Sequence, residues 1–190
     1  MVRRLFKQET LANIELWVTH CSWKKNAVRE GTPVELYSSP RISEFIEYCS
    51  RNEHAWAILS AKHDLFFPNE KKQNYNMTFR SDPLTKQCLV VENGVVLDSE
   101  RSSAWMDRLV SNTEQKIRSR DIKSIVFWPG RPRDDVDPLM RVKCYLKFLH
   151  AATDGCNIDH RSWREIVEHI NASTKSGRGR IILISELPAR

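Results

Sequence analysis

Residues 60–75, SAKHDLFFPNEKKQNY, place three lysines, a histidine, an aspartate and a glutamate around two phenylalanines. They follow directly on the apolar run AWAIL. Groups of these types divide naturally into chemical roles. Asp64 or Glu70 can position a water or shield a developing cation, and His63 or Lys62 can donate to a departing group. Phe66, Tyr75 and the more distant Tyr37 offer stacking faces, and Asn74 and Asn76 offer paired donors and acceptors. A charge run is usually a solvated face, but this one sits immediately behind a buried strand. In open parallel sheets ligands bind beyond the carboxyl ends of the strands, which makes the stretch the expected rim of a pocket.

The elements that would position these residues alternate along the chain. Apolar, β-branched runs at 14–20, 55–60, 122–128 and 180–185 read as strands. A helix is expected over 38–51, with Ser39 as N-cap, Pro40 in its first turn and Ile42, Phe45, Ile46 and Cys49 on one stripe. Further helices are expected from Ser103 to about Ser119, from Asp137-Pro138 to about Ala152, and from Asn157 or Asp159 onward. CLVVENGVVL (88–97) is a hairpin signal, with Asn93-Gly94 at the turn. The expected fold is a single α/β domain over 1–190. It has a four-stranded, mainly parallel sheet flanked by helices on both faces and a small hairpin insertion. All four strand exits, at 19–26, 60–70, 128–135 and 185–190, carry charged or hydroxyl residues that such a sheet would bring to one edge. SGRGR (176–180) precedes its strand and belongs to the opposite edge.

The chain of 190 residues carries a formal charge of +6, which suits a polyanionic partner. Five widely spaced cysteines without a CxxC pair, and six histidines without HExxH spacing, argue against a disulfide framework and a metal site. Apolar runs of about six residues fall far below the roughly 20 that cross a bilayer. The first residues lack an apolar signal segment, so a cytoplasmic protein is expected. No GxGxxG, Walker A or GxSxG pattern supports dinucleotide, nucleoside triphosphate or α/β-hydrolase chemistry.

CSWKK (21–25), ELYSSPRISEFIEY (35–48) and WAILSAKHDLFFPNEKKQNYNMTF (56–79) together resemble the small bacterial domains described as peroxide-stress-protein-like. The resemblance covers roughly the first 80 residues and is most specific through Leu59 to Leu65. The same order of motifs is similar to the catalytic domain of archaeosine synthase, which implies a uracil-DNA-glycosylase-like fold. Asp64 departs from that pattern, where a glycine is usual; it is either a turn residue that tolerates positive φ or an added carboxylate with a chemical role.

Three functions follow as expectations. In the leading one, implied by a resemblance in size, fold, basic charge and aromatic content to the anti-phage glycosylases that excise glucosylated hydroxymethylcytosine, the protein is a DNA glycosylase of anti-phage defence. It flips a modified base out of double-stranded DNA, glucosylated hydroxymethylcytosine being one such base, and hydrolyses its N-glycosidic bond. His63, Asp64, Glu70 and Lys62 are then the catalytic candidates. Lys24, Tyr37, Ser38, Phe66, Asn74, Tyr75 and Asn76 bind the base or an attached sugar, and Lys25, Arg131 and Arg133 grip phosphates. In the second, implied by the archaeosine synthase resemblance, Lys24 or Lys25 attacks a deazaguanine nitrile. The third is a non-catalytic nucleic-acid-binding stress protein. None requires a cofactor, a metal or a membrane, and a monomer is expected.

Overall fold

The computed structural model describes residues 14–82, 84–85, 87–128, 138–154 and 180–183. In chain order these form β1 (Ile14–His20), β2 (Glu30–Gly31), α1 (Pro33–Leu36), α2 (Pro40–Arg51), β3 (Ala55–Ser60), β4 (Asp64–Phe66) and β5 (Lys72–Gln73). There follow β6 (Met77–Ser81), β7 (Cys88–Glu92), β8 (Val95–Val96), α3 (Ser99–Ser119), β9 (Ile122–Phe127), α4 (Pro138–Asp154) and β10 (Arg180–Leu183).

The principal sheet has the order β10-β9-β1-β3-β4. The four strands expected from the sequence pair in parallel, β1 with β3 and β9, and β9 with β10. The sheet is nevertheless mixed, because β4 folds back antiparallel on β3 with Ser60 opposite Asp64. This fifth strand escapes a reading by pattern because it is three residues long and lies inside the charged stretch. Its tight return is possible because Asp64 adopts φ +53°, a left-handed conformation that Asp tolerates better than most residues.

Side chains alternate between the faces of a strand, and each face of β1 meets a different helix. Trp17 and its register partner Trp56 point toward α2, where the Phe45 ring meets Trp56 edge-on at 6.4 Å and stacks on Trp128 at 6.1 Å. On the opposite face His20 stacks on Tyr145 of α4 at 5.3 Å. α2 begins as expected, with Ser39 as N-cap, Pro40 in the first turn and Ile42, Phe45 and Cys49 buried. α3 begins earlier than expected, at Ser99, because the Asp98 side chain accepts from the Arg101 N–H at 2.8 Å and caps it. The helix expected from Asn157 onward lies outside the described residues.

The hairpin forms as expected. Asn93 at φ +52° and Gly94 at φ +81° supply the two left-handed positions of its turn. β6 extends it to a three-stranded antiparallel sheet. Contrary to the expectation from cysteine count, Cys88 of β7 and Cys144 of α4 form a disulfide across a separation of 56 residues. The pair was hidden in an odd total of five: Cys21 and Cys49 are free and buried, and Cys156 lies outside the described residues. No described helix is long and apolar enough to cross a membrane.

Candidate functional site

At the carboxyl ends of β1 and β3, two tyrosines, a serine and a lysine converge. Ser60 ends β3, and its Oγ accepts the N–H groups of Lys62 at 3.1 Å and His63 at 3.0 Å. The hydroxyl therefore closes the turn and turns its own proton outward, onto the Tyr75 hydroxyl at 2.8 Å. The Tyr75 and Tyr37 hydroxyls lie 2.5 Å apart. Local structure fixes both rings. Asn74 accepts from the Tyr75 N–H through Oδ1 at 2.8 Å and donates through Nδ2 to the carbonyls of Asn26 and Val28. Tyr37 follows the one-turn helix α1, where Glu35 accepts from the Thr32 N–H at 2.7 Å, and it bridges to Lys25 across the backbone.

A proton count along this chain has a chemical consequence. Ser60 donates to Tyr75, and one phenolic proton joins Tyr75 to Tyr37, so one of the two phenols keeps a proton that neither bond uses. Burial pushes both phenols well above their ordinary pKa, which keeps them neutral donors.

Lys25 lies against this pair. Its Nζ sits 4.2 Å from the Tyr75 ring centre and 5.6 Å from that of Tyr37, and it donates to the Ser22 carbonyl at 2.9 Å. Burial lowers its pKa, with the nearby Cys21 acting in the opposite direction. Lys25, expected to grip phosphate, has its amine half-buried beside aromatic rings.

Behind this cluster, Cys21 Sγ lies 3.1 Å from the Tyr145 hydroxyl, which also reaches Thr78 Oγ1 at 3.5 Å. Arg41, in the first turn of α2, donates to the carbonyls of His20 at 2.6 Å and Cys21 at 3.2 Å, and to Thr19 Oγ1. It thereby pins the end of β1, from which the Lys25 loop departs.

His63 packs edge-on against Tyr75, ring centres 4.9 Å apart, and its Nε2 lies 3.0 Å from the Gln73 carbonyl. A carbonyl only accepts, so Nε2 carries the hydrogen and Nδ1 the lone pair. Burial lowers the His63 pKa, with the nearby lysines acting the same way and the Gln73 bond opposing. The ring is thus neutral and presents an acceptor, whereas the sequence suggested a donor.

The two carboxylates form a separate network. Asp64 is buried and pairs with Lys116 of α3 at 2.5 Å. Lys116 also meets Glu70 at 3.5 Å and donates to the Leu65 carbonyl at 2.6 Å. Glu70 is further met by Arg120 at 3.5 Å and Lys72 at 3.9 Å. Burial raises the Asp64 pKa, and Lys116 opposes that rise.

The remaining expected residues scatter. Lys62 turns to Glu92 at 3.3 Å and over the Trp105 ring at 4.7 Å. Phe66 is fully buried in the core, so its ring offers no face to a ligand. Asn74 spends its side chain on the backbone bonds above. Lys24, Ser38 and Asn76 are exposed. Arg131 and Arg133 lie outside the described residues. Reading by strand exits missed Ser60, Arg41, Tyr145 and Lys116; Ser60 carried the one usable signal, a hydroxyl ending a buried strand. Among the described residues no group of His, Cys, Asp and Glu is arranged to hold a metal.

Residues 17–147 match the family of unknown function DUF6884, and the chain belongs to that family. The matched span contains every residue of the lysine–tyrosine cluster. No curated protein and no solved structure matches the chain.

Proposed function

We propose that this protein releases a modified base from double-stranded DNA by breaking its N-glycosidic bond, leaving an abasic site. The observation that carries the reading is the Lys25 amine set on Tyr75, beside a hydroxyl chain with one uncommitted proton. Breaking such a bond develops positive charge on the sugar and negative charge on the base. A neutral phenol held in place by Ser60 is a preorganised donor for the departing base. His63, neutral and edge-on to the same ring, has in Nδ1 an acceptor suited to take up a proton.

The carboxylates shift role in this reading: Asp64 and Glu70 hold the β3–β4 turn to α3, and the donor expected of Lys62 or His63 passes to the phenols. The four parallel strands between helices accord with the uracil-DNA-glycosylase-like fold that the sequence resemblance implies. The charge of +6 suits the phosphate backbone of the substrate.

A second reading draws on the same lysine. An amine whose pKa burial lowers would also serve as the attacking group on a deazaguanine nitrile, as the archaeosine synthase resemblance implies.

The test uses duplexes carrying cytosine, hydroxymethylcytosine or glucosylated hydroxymethylcytosine, followed by alkali. Strand breaks at modified positions are the expected result. A gel shift without breaks on any duplex would leave a nucleic-acid-binding protein. Turnover of a free or nucleic-acid-borne deazaguanine nitrile without base release would favour the second reading.

A further inference from the structure

We infer that Lys25 is the nucleophile of this reaction and forms a covalent imine with C1′ of the nucleotide that loses its base. The inference rests on the base-release reading and adds to it the identity of the attacking group. Hydrolysis by water needs a base near the sugar, and a carboxylate is the usual one. Here Asp64 is engaged by Lys116, and Glu70 by Lys116, Lys72 and Arg120. The Cys21 thiol is buried and faces the Tyr145 hydroxyl. The amine of Lys25 is different. It stands in the loop leaving β1, over the ring of Tyr75, and donates a hydrogen bond to the Ser22 carbonyl. Burial of the amine disfavours its ammonium form, the direction that makes a lysine a better nucleophile.

The step balances without any co-reactant beyond water. The neutral Lys25 nitrogen bonds to C1′ as the bond from C1′ to the base breaks. The electron pair leaves with the base, which takes the phenolic proton. The new ammonium returns a proton to the phenolate. The C1′–O4′ bond then opens, O4′ takes a proton from water to leave hydroxide, and a protonated imine joins Lys25 to C1′. Addition of that hydroxide to C1′ and loss of the amine return neutral Lys25 and leave the abasic aldehyde.

Borohydride reduces an imine to a stable secondary amine, so the full chain is incubated with it and two probes. One is a duplex with a preformed abasic site; the other is the set of modified duplexes above. The expected result is a covalent protein–DNA band with both kinds of probe, mapping by peptide mass to Lys25. Lys25→Arg should lose it at least 100-fold while keeping its circular dichroism and Tm. Should that variant not fold, the mapped peptide of the unaltered protein decides by itself. Base release without a trapped adduct, or an adduct on another residue, would overturn the imine and leave the base-release reading standing. An adduct at Lys25 with the abasic probe but no release from any modified duplex would support the imine chemistry and sink the base-release reading. Neither adduct nor release would end both.

Discussion

Tyr75 receives the Ser60 hydroxyl, meets the Tyr37 hydroxyl and carries the Lys25 amine on its ring. Tyr75→Phe keeps the ring and removes the oxygen, so lysine packing survives while the hydroxyl chain is cut. Base release should fall at least tenfold, and stability by about 1–3 kcal/mol for the partners left unmet. Parallel single-turnover and urea-unfolding measurements separate the two effects. Lys25 makes a prediction in pH. Its folded pKa lies below the usual 10.5 because burial disfavours the charge. In the proposed reaction the neutral amine is the attacking form, so the rate should rise with pH through that lowered value and then level off. Stability has the same sign. Between the folded and unfolded pKa values the unfolded chain binds more protons, so stability from this group rises with pH across that window. Lys25→Met should flatten both profiles; a rate that falls with rising pH across the window would speak against an amine nucleophile.

The β3–β4 turn is an element held by two devices, the left-handed Asp64 backbone and the Asp64–Lys116 pair to α3. Asp64→Gly preserves the first and removes the second. The remaining contacts of Lys116 with Glu70 and the Leu65 carbonyl soften the loss. Stability should drop by about 1–3 kcal/mol, less than for a fully stranded buried charge. Because the role assigned to Asp64 is positional, Asp64→Asn should change unfolding in urea more than the rate of base release. A rate loss of a hundredfold at unchanged stability would return Asp64 to the chemistry.

At the scale of the whole molecule, the Cys88–Cys144 bridge ties α4, bearing Tyr145, to the antiparallel sheet. Closing a loop of that length in the unfolded chain corresponds to about 4 kcal/mol by chain entropy alone, and strain usually reduces this. Cys88→Ser with Cys144→Ser should lower Tm by roughly 5–15 °C. Tyr145 lies next to the bridge and reaches Cys21, so activity should be lost on warming before it is lost at low temperature. Intact-mass measurement with and without reductant checks the bridge itself. Cys49, whose thiol burial pushes up to about 12, should resist alkylation until the protein unfolds.

Strand identity and parallel pairing were legible in the sequence, because four apolar runs separated by helical spacing admit few other arrangements. So were the N-cap of α2, the Asn93-Gly94 turn and the importance of the SAKHD stretch, since each depends on residues close in the chain. The tertiary structure decided which members of that stretch meet. Asp64, Glu70 and Lys62 turn toward partners on α3 and β7, while His63 turns toward Tyr75. It also placed Lys25 beneath two tyrosines that lie 12 and 50 residues away in sequence, and paired two of five cysteines. These outcomes depend on desolvation and long-range contact, which fix a lysine as amine or cation and a carboxylate as base or ion-pair partner. A linear pattern carries residue types and spacing; the local dielectric exists only once the chain has closed around them.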